Sequence, residues 1–450
     1  MKERSKLSII LDYVIYWSLC LYMLDVILLG TGELTRIGGI SSRMVFFAIA
    51  VLASVPGVLK NYKQYLTNKS ILFVGVFMVA LVLSAGLGLI NGNYMPILIS
   101  DVKGFLNILI VFPMVYILSE KKRTIRMLKM MLTSSFVMAV FCIALSYFML
   151  FEREFKMTIY YWVHKMDWAN LTSLSQYATR VFLHSGTRML ILGLLFAFAL
   201  LILEKKRVVL RYVQMTTCLT AIFIAYARAI YLGMAVMVVA MLILIAIKYK
   251  EYFKQTIQKY AIVFVLTAVF ILALGASQKS NLFILAIDRC LIAVGGEQYI
   301  DPDVAGGGGG SIENVEAELE SLDVRQHRQE MSIKNFSESP IWGKGLGVVN
   351  DIHNDTIEYF YLDILSKMGV VGVLIFLAPA AFCIISIVKK KDEYEEEQRL
   401  LALVCWFALL YLIIISYFNP CMNTSWGLSI YGLTIALSIP WKKEETLCKK

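Results

Sequence analysis

The chain is poor in charge, proline and histidine. Only 17% of its 450 residues are charged, eight are proline and four are histidine. Soluble domains carry roughly 25% charged and 45–50% apolar residues, whereas 59% of this chain is hydrophobic. That balance excludes an ordinary water-soluble enzyme. The eight cysteines form no CxxC pair and no Cys/His set at metal-ligand spacing, which argues against a zinc module or a dithiol redox centre. There is no internal repeat of solenoid length and no GxxxxGK[ST] phosphate loop. The first apolar block ends in Ile27-Leu-Leu-Gly30 without a small-residue cleavage pattern, so it is expected to stay as a helix rather than be removed as a signal peptide.

What the chain does have is length of apolar sequence. The mean hydropathy is +0.69. Apolar blocks run over 8–30, 42–59, 71–90, 104–119, 129–151, 187–203, 208–226, 229–247, 259–276, 367–388, 399–418 and 423–440. Blocks of about twenty residues match the ~30 Å hydrocarbon core of a bilayer. The reading is an all-α polytopic membrane protein with about twelve transmembrane helices.

The charges test that count. Net charge is +10, and the cations cluster in short connections: Lys60, Lys63 and Lys69; Lys121 to Lys129; Lys205 to Arg211; Lys248 to Lys259; Lys389 to Lys391. Both ends of the chain are basic as well. Every even-numbered connection is thus positive, which puts these loops and both termini in the cytoplasm. Orientation signals explain the positive balance, and nucleic-acid binding is set aside.

The extracytoplasmic face then owns two long segments, 151–186 and 277–354. All four histidines (His164, His184, His327, His353) fall there. The second segment separates spans nine and ten, dividing the chain into 1–276 (spans one to nine), 277–357 (large loop) and 358–450 (spans ten to twelve and tail). Inside that loop Gly306–Gly310 reads as a hinge, and Glu313, Glu316, Glu318 and Glu320 as the wet face of a helix. Six cysteines lie in spans or on the cytoplasmic side. Cys290 and Cys421 both face outward, leaving a disulfide between them open.

Several residues could carry chemistry. Arg228, in Tyr226-Ala-Arg228-Ala-Ile-Tyr231, sits between two abutting apolar blocks. Its planar, permanently charged fork suits phosphate oxygens; the competing reading is an arginine snorkelling to lipid headgroups. Arg325 and Arg328 on the same face favour the phosphate clamp. Arg180, His184 and Arg188 surround the start of the sixth span, either lining the same cavity or anchoring the interface, and Arg43 has the same two readings. Pro340-Ile-Trp-Gly343-Lys-Gly345-Leu-Gly347 is a turn that lets backbone approach closely, to another helix or to a ligand. His353, followed by Asn354, is suited to removing a hydroxyl proton near neutral pH. Asp12, Asp25 and Asp101 lie near span ends, where a position at the water boundary is expected.

Taken in order, these features resemble one known family. An arginine in a short Tyr-Ala-Arg connection is followed, once nine spans of the chain are complete, by a large loop. That loop carries Arg, a Pro-x-x-Gly-x-Gly-x-Gly turn and His-Asn, and Gly369-Val-Val-Gly372 then enters span ten. This is similar to the O-antigen polymerase / O-antigen ligase family of bacterial envelope glycosyltransferases. Gln329 departs from the aromatic expected four residues after the loop arginine, and the glycine run with its acidic helix has no counterpart in the pattern.

The resemblance implies a GT-C-like membrane enzyme of the bacterial cytoplasmic (inner) membrane with an extracytoplasmic active site and no cofactor or metal. It implies an undecaprenyl-pyrophosphate-linked glycan as donor and a glycan acceptor. Arg325, then Arg328, and Arg228 would grip the diphosphate, joined by Arg180, His184 and Arg188; His353 would act as base beside Asn354. A polymerase would pass the chain to another lipid-linked repeat unit, making O-antigen or capsule, with a chain-length-regulating membrane protein as partner. A ligase would pass it to lipid A core or another acceptor. Repeat symmetry and charged mid-membrane helices, the marks of a lipid-linked glycan flippase, are weak here.

Overall fold

A computed structural model describes residues 6–174, 177–204, 206–292, 325–350 and 359–441. In chain order the helices are α1 (Lys6–Leu28), α2 (Ser42–Lys60), α3 (Tyr62–Thr67), α4 (Lys69–Ile90), α5 (Met95–Leu106), α6 (Val111–Ile117), α7 (Lys121–Ser146) and α8 (Arg153–Lys165). A two-stranded antiparallel hairpin follows, β1 (Ala169–Ser173) and β2 (Thr179–Leu183), with Leu171 opposite Val181. Then come α9 (Gly186–Leu203), α10 (Val208–Phe223), α11 (Arg228–Lys248), α12 (Lys250–Ser277), α13 (Leu282–Ile292), α14 (325–338), α15 (Phe360–Lys389), α16 (Glu396–Ile415) and α17 (Ser425–Leu437).

Among the described residues ten helices are long and apolar enough to cross a membrane, α5 and α6 joining into the single span Met95–Ile117. Two shorter apolar helices, Val208–Phe223 and Ser425–Leu437, bring the total to the twelve apolar blocks. The fourth span starts earlier than hydropathy suggests, because Asp101 and Lys103 lower the average over its first turns. At 1.5 Å per residue, α17 is only about 20 Å long. Every residue from Trp426 to Leu437 is buried, so protein rather than lipid covers it.

Local chemistry sets several of the helix starts. Ser41, Asn68 and Thr424 each accept a hydrogen bond from a backbone N–H in the first turn of α2, α4 and α17, satisfying donors that the helix leaves unpaired. Around the bundle Leu52, Val82, Leu83, Val209 and Val265 are exposed, as a lipid-facing surface requires. The centre is α9, buried along almost its whole length and packed against α7, α10 and α16.

The basic connections converge on one face. Lys121 pairs with Glu395 and Glu397 and lies over the Trp441 ring. Glu204 bridges Lys129 and Arg211, Lys259 donates to the Leu201 carbonyl, and Arg399 lies over Tyr249. Tyr394 donates to the Ser438 carbonyl. Helices α1 and α17 have their chain-terminal ends on this face. The hairpin, the α10–α11 turn and the glycine turn lie on the opposite one.

Candidate active site

The glycine turn is consumed by helix packing. Gly343, Gly345 and Gly347 all have positive φ, as does Gly369 inside α15, where the helix is broken. Lys344 N–H donates to Ser366 O, Gly345 N–H to Lys367 O, Leu346 N–H to Ser84 O, and Val370 N–H to Pro340 O. Asn93 Nδ2 reaches the carbonyls of Lys344 and Leu346, and Tyr94 N–H donates to Gly347 O. Backbone of the turn is thereby laid directly against α4, the start of α5 and the break in α15. Of the two readings left by the sequence, close approach to helices is the one realised.

Beneath the turn lies a buried ionic cluster. Lys367 Nζ stands 2.7 Å from both Asp101 Oδ1 and Asp363 Oδ1. Asp101 Oδ2 accepts from Gly347 N–H. Asn350 Nδ2 donates to Ser366 Oγ at 2.8 Å and to Asp363 Oδ1 at 3.4 Å. The expected surface placement of Asp101, Asp25 and Asp12 is therefore corrected: they are 8%, 2% and 5% exposed. Asp25 pairs with Arg43 at 2.9 Å, and Asp12 accepts from Tyr116 Oη and lies 3.8 Å from Arg123. Charges near span ends turn inward here because a partner on a neighbouring helix offsets desolvation, which lipid cannot do. Arg43 is buried, 7% exposed, and held by Asp25. Its guanidinium also bonds Ser425 Oγ and the Gly30 carbonyl, tying α1, α2 and α17 together.

A second group, rich in arginine, forms around the hairpin. Arg180 and Arg188 place their guanidinium carbons 5.2 and 5.1 Å from the Phe182 ring centre. Arg188 also lies 5.0 Å from the Trp426 ring and bonds His184 O and Asn419 Oδ1. Arg180 Nε donates to the Ala225 carbonyl, in the turn that leads into Arg228 at the first position of α11. His184 Nε2 is 3.4 Å from Asp167 Oδ1. Burial holds the His184 imidazole below its ordinary pKa; Asp167 opposes this, while Arg188, His164 and Arg180 add to it.

The structure thus brings together Arg180, His184 and Arg188 and links them to the turn before Arg228. Arg325 and Arg328 are half-buried on α14. That helix is fastened to the glycine turn through Asn335, which bonds Val349 O, Asn350 Oδ1 and Lys344 Nζ, and through the Lys344–Glu338 pair. His353, Asn354, Gly306–Gly310 and the acidic run lie outside the described residues. Cys290 and Cys421 are free, Cys421 being fully buried. Among the described residues no group of three His, Cys, Asp or Glu side chains is placed to hold a metal ion.

Sequence reasoning passed over Asp167, Asp363 and Lys367. Asp363 and Lys367 were legible as an i, i+4 ion pair at the head of an apolar run. Asp167 had no such signal.

Fold and site together define a polytopic all-α membrane protein with an arginine- and histidine-rich group on the face away from its basic loops. Residues 214–377 match the family model described as O-antigen ligase, and this match supports assignment to the O-antigen polymerase/ligase family. The matched stretch runs from α10 through Arg228, α14 and the glycine turn into α15. No curated protein matches the chain.

Proposed function

We propose that the chain is a glycosyltransferase that joins lipid-pyrophosphate-linked oligosaccharide units into surface polysaccharide. It works on the outer face of the bacterial cytoplasmic membrane, with both termini inside. The observation that carries this reading is the O-antigen ligase match, which spans Arg228, Arg325, Arg328 and the glycine turn. The gathering of Arg180, His184 and Arg188 beside the Arg228 turn supports it.

In the proposed reaction the acceptor hydroxyl attacks the anomeric carbon and the bond from that carbon to the diphosphate oxygen breaks, inverting the centre. His353 takes the hydroxyl proton, with Asn354 orienting the acceptor. The departing undecaprenyl diphosphate keeps the electron pair, and Arg228, Arg325 and Arg328 neutralise the growing charge. Cleavage of the glycosyl–diphosphate bond drives the transfer. The polymerase reading takes a chain-length-regulating membrane protein as its proposed partner.

The description of the matched family favours a second reading, transfer of the finished glycan to lipid A core or another acceptor. One experiment separates the two. Purified protein is incubated with a single lipid-linked repeat unit and no other acceptor. A ladder of longer glycans establishes polymerase activity, whereas unchanged substrate that is consumed only on adding lipid A core establishes ligase activity. No turnover under either condition, with the protein folded, overturns both.

A further inference from the structure

His184 stands at the end of β2 with charge on every side. Asp167, in the turn before β1, faces its Nε2 at 3.4 Å, and Asp167 is itself held at φ 47°, a conformation that non-glycine residues seldom adopt without a local reason. The His184 N–H donates to Trp168 O, and its carbonyl accepts from Arg188 Nη1 on α9 at 2.8 Å. The imidazole meets the Phe182 ring edge-on, 6.2 Å between centres at 87°, and that same ring carries Arg180 and Arg188. From α8, His164 contributes a second imidazole to the neighbourhood. Beyond Ser185, which donates to the Gly30 carbonyl, the Arg43 charge is already answered by Asp25.

We propose that Arg180, His184 and Arg188 form one seat for the donor's diphosphate, and that His184 takes up a proton from solvent when the seat fills and releases it when it empties. The inference rests on the donor reading above. It assigns His184 a place as the titrating member of a guanidinium-flanked anion site; no bond to phosphorus is made.

Electrostatics supplies the reason. In the empty seat burial, Arg188, His164 and Arg180 all disfavour the imidazolium, and only Asp167 favours it. A bound diphosphate diester brings two negative charges into the group. It offsets the repulsion from both guanidinium groups and adds to the pull of Asp167, so the imidazole pKa rises on binding. Binding is then tightest below the pKa of the empty seat and weakens as pH climbs through the higher pKa of the filled one. Between the two values the affinity changes by up to about tenfold per pH unit.

The test measures binding of a short-chain isoprenyl diphosphate sugar to the full chain in nanodiscs, from roughly pH 6 to pH 8. Each phosphorus of this probe carries one ester and the anhydride bridge, leaving one strongly acidic oxygen that is already ionised throughout that range. For the wild type Kd is expected to fall by at least about threefold toward the acid end. His184→Gln should lose the gain toward the acid end and show a flat profile. Asp167→Asn should move the rise to lower pH. A flat wild-type profile, or a slope retained in His184→Gln, overturns the proton uptake while leaving the donor reading intact. No binding at any pH overturns both.

Discussion

Gly39 and Gly345 have nearly the same φ, 86° and 89°, in different surroundings. A Cβ at Gly39 would meet nothing within 4 Å, whereas one at Gly345 would lie 2.6 Å from Gly88 Cα and 2.8 Å from Leu87 C, both backbone of α4. Alanine at Gly39 therefore incurs only the left-handed conformation, about 1–2 kcal/mol. At Gly345 the same term applies, and α4 must also move, which adds about 1–3 kcal/mol as overpacking does. The 3.0 Å bond from Gly345 N–H to Lys367 O is strained in the process, adding about 0.5–1.5 kcal/mol. Gly345→Ala should thus be more destabilising than Gly39→Ala by about 2–4 kcal/mol. Thermal unfolding of the two variants in the same detergent, compared as apparent Tm at one scan rate, measures the gap. Equal losses would show that the turn is not pressed against α4, and the packing account of the glycine motif would fall.

Other substitutions probe the buried charges and the arginines. Lys367→Met leaves Asp101 and Asp363 facing each other without a cation and should cost about 3–5 kcal/mol; adding Asp101→Asn and Asp363→Asn should recover part of the lost apparent Tm. Arg43→Met strands Asp25 between α1 and α2 and should cost a similar amount, about 3–5 kcal/mol, with Asp25→Asn in the same chain restoring some of it. Arg188→Lys keeps the charge but loses the planar face that lies between Phe182 and Trp426, so donor-sugar binding should weaken by about 0.5–2 kcal/mol, read as Kd at fixed pH. Arg228→Ala and Arg325→Ala should each slow glycan transfer by about a hundredfold or more while apparent Tm stays near that of the wild type. Full activity in either variant would remove that arginine from the diphosphate grip.

Much of the architecture was legible before any coordinates. Apolar blocks of spanning length, each separated by a basic or a polar connection, left a helical bundle with alternating faces as the arrangement to be tested, and all twelve blocks are helices. The arginine–histidine group was legible only as residue types near one boundary. Arg180, His184 and Arg188 lie within nine residues of one another, yet their meeting depends on a hairpin whose alternation is too short to stand out, and on Phe182 serving both guanidinium groups. The glycine turn was legible as a place of close approach, but its neighbours were not, because Ser84 and Asn93 are brought to it from about 250 residues earlier in the chain.

The pattern of hydropathy and charge in the sequence determined that this chain is a polytopic helical bundle with basic connections between its apolar segments, because backbone hydrogen bonding in lipid leaves a long apolar segment no alternative to the helix. Only the tertiary structure decided that Asp12, Asp25 and Asp101 turn inward rather than toward water, and that Lys367 stands between two carboxylates. Whether a charge near a span end is buried depends on what the neighbouring helix offers it, and that is a property of packing which no local stretch of sequence contains.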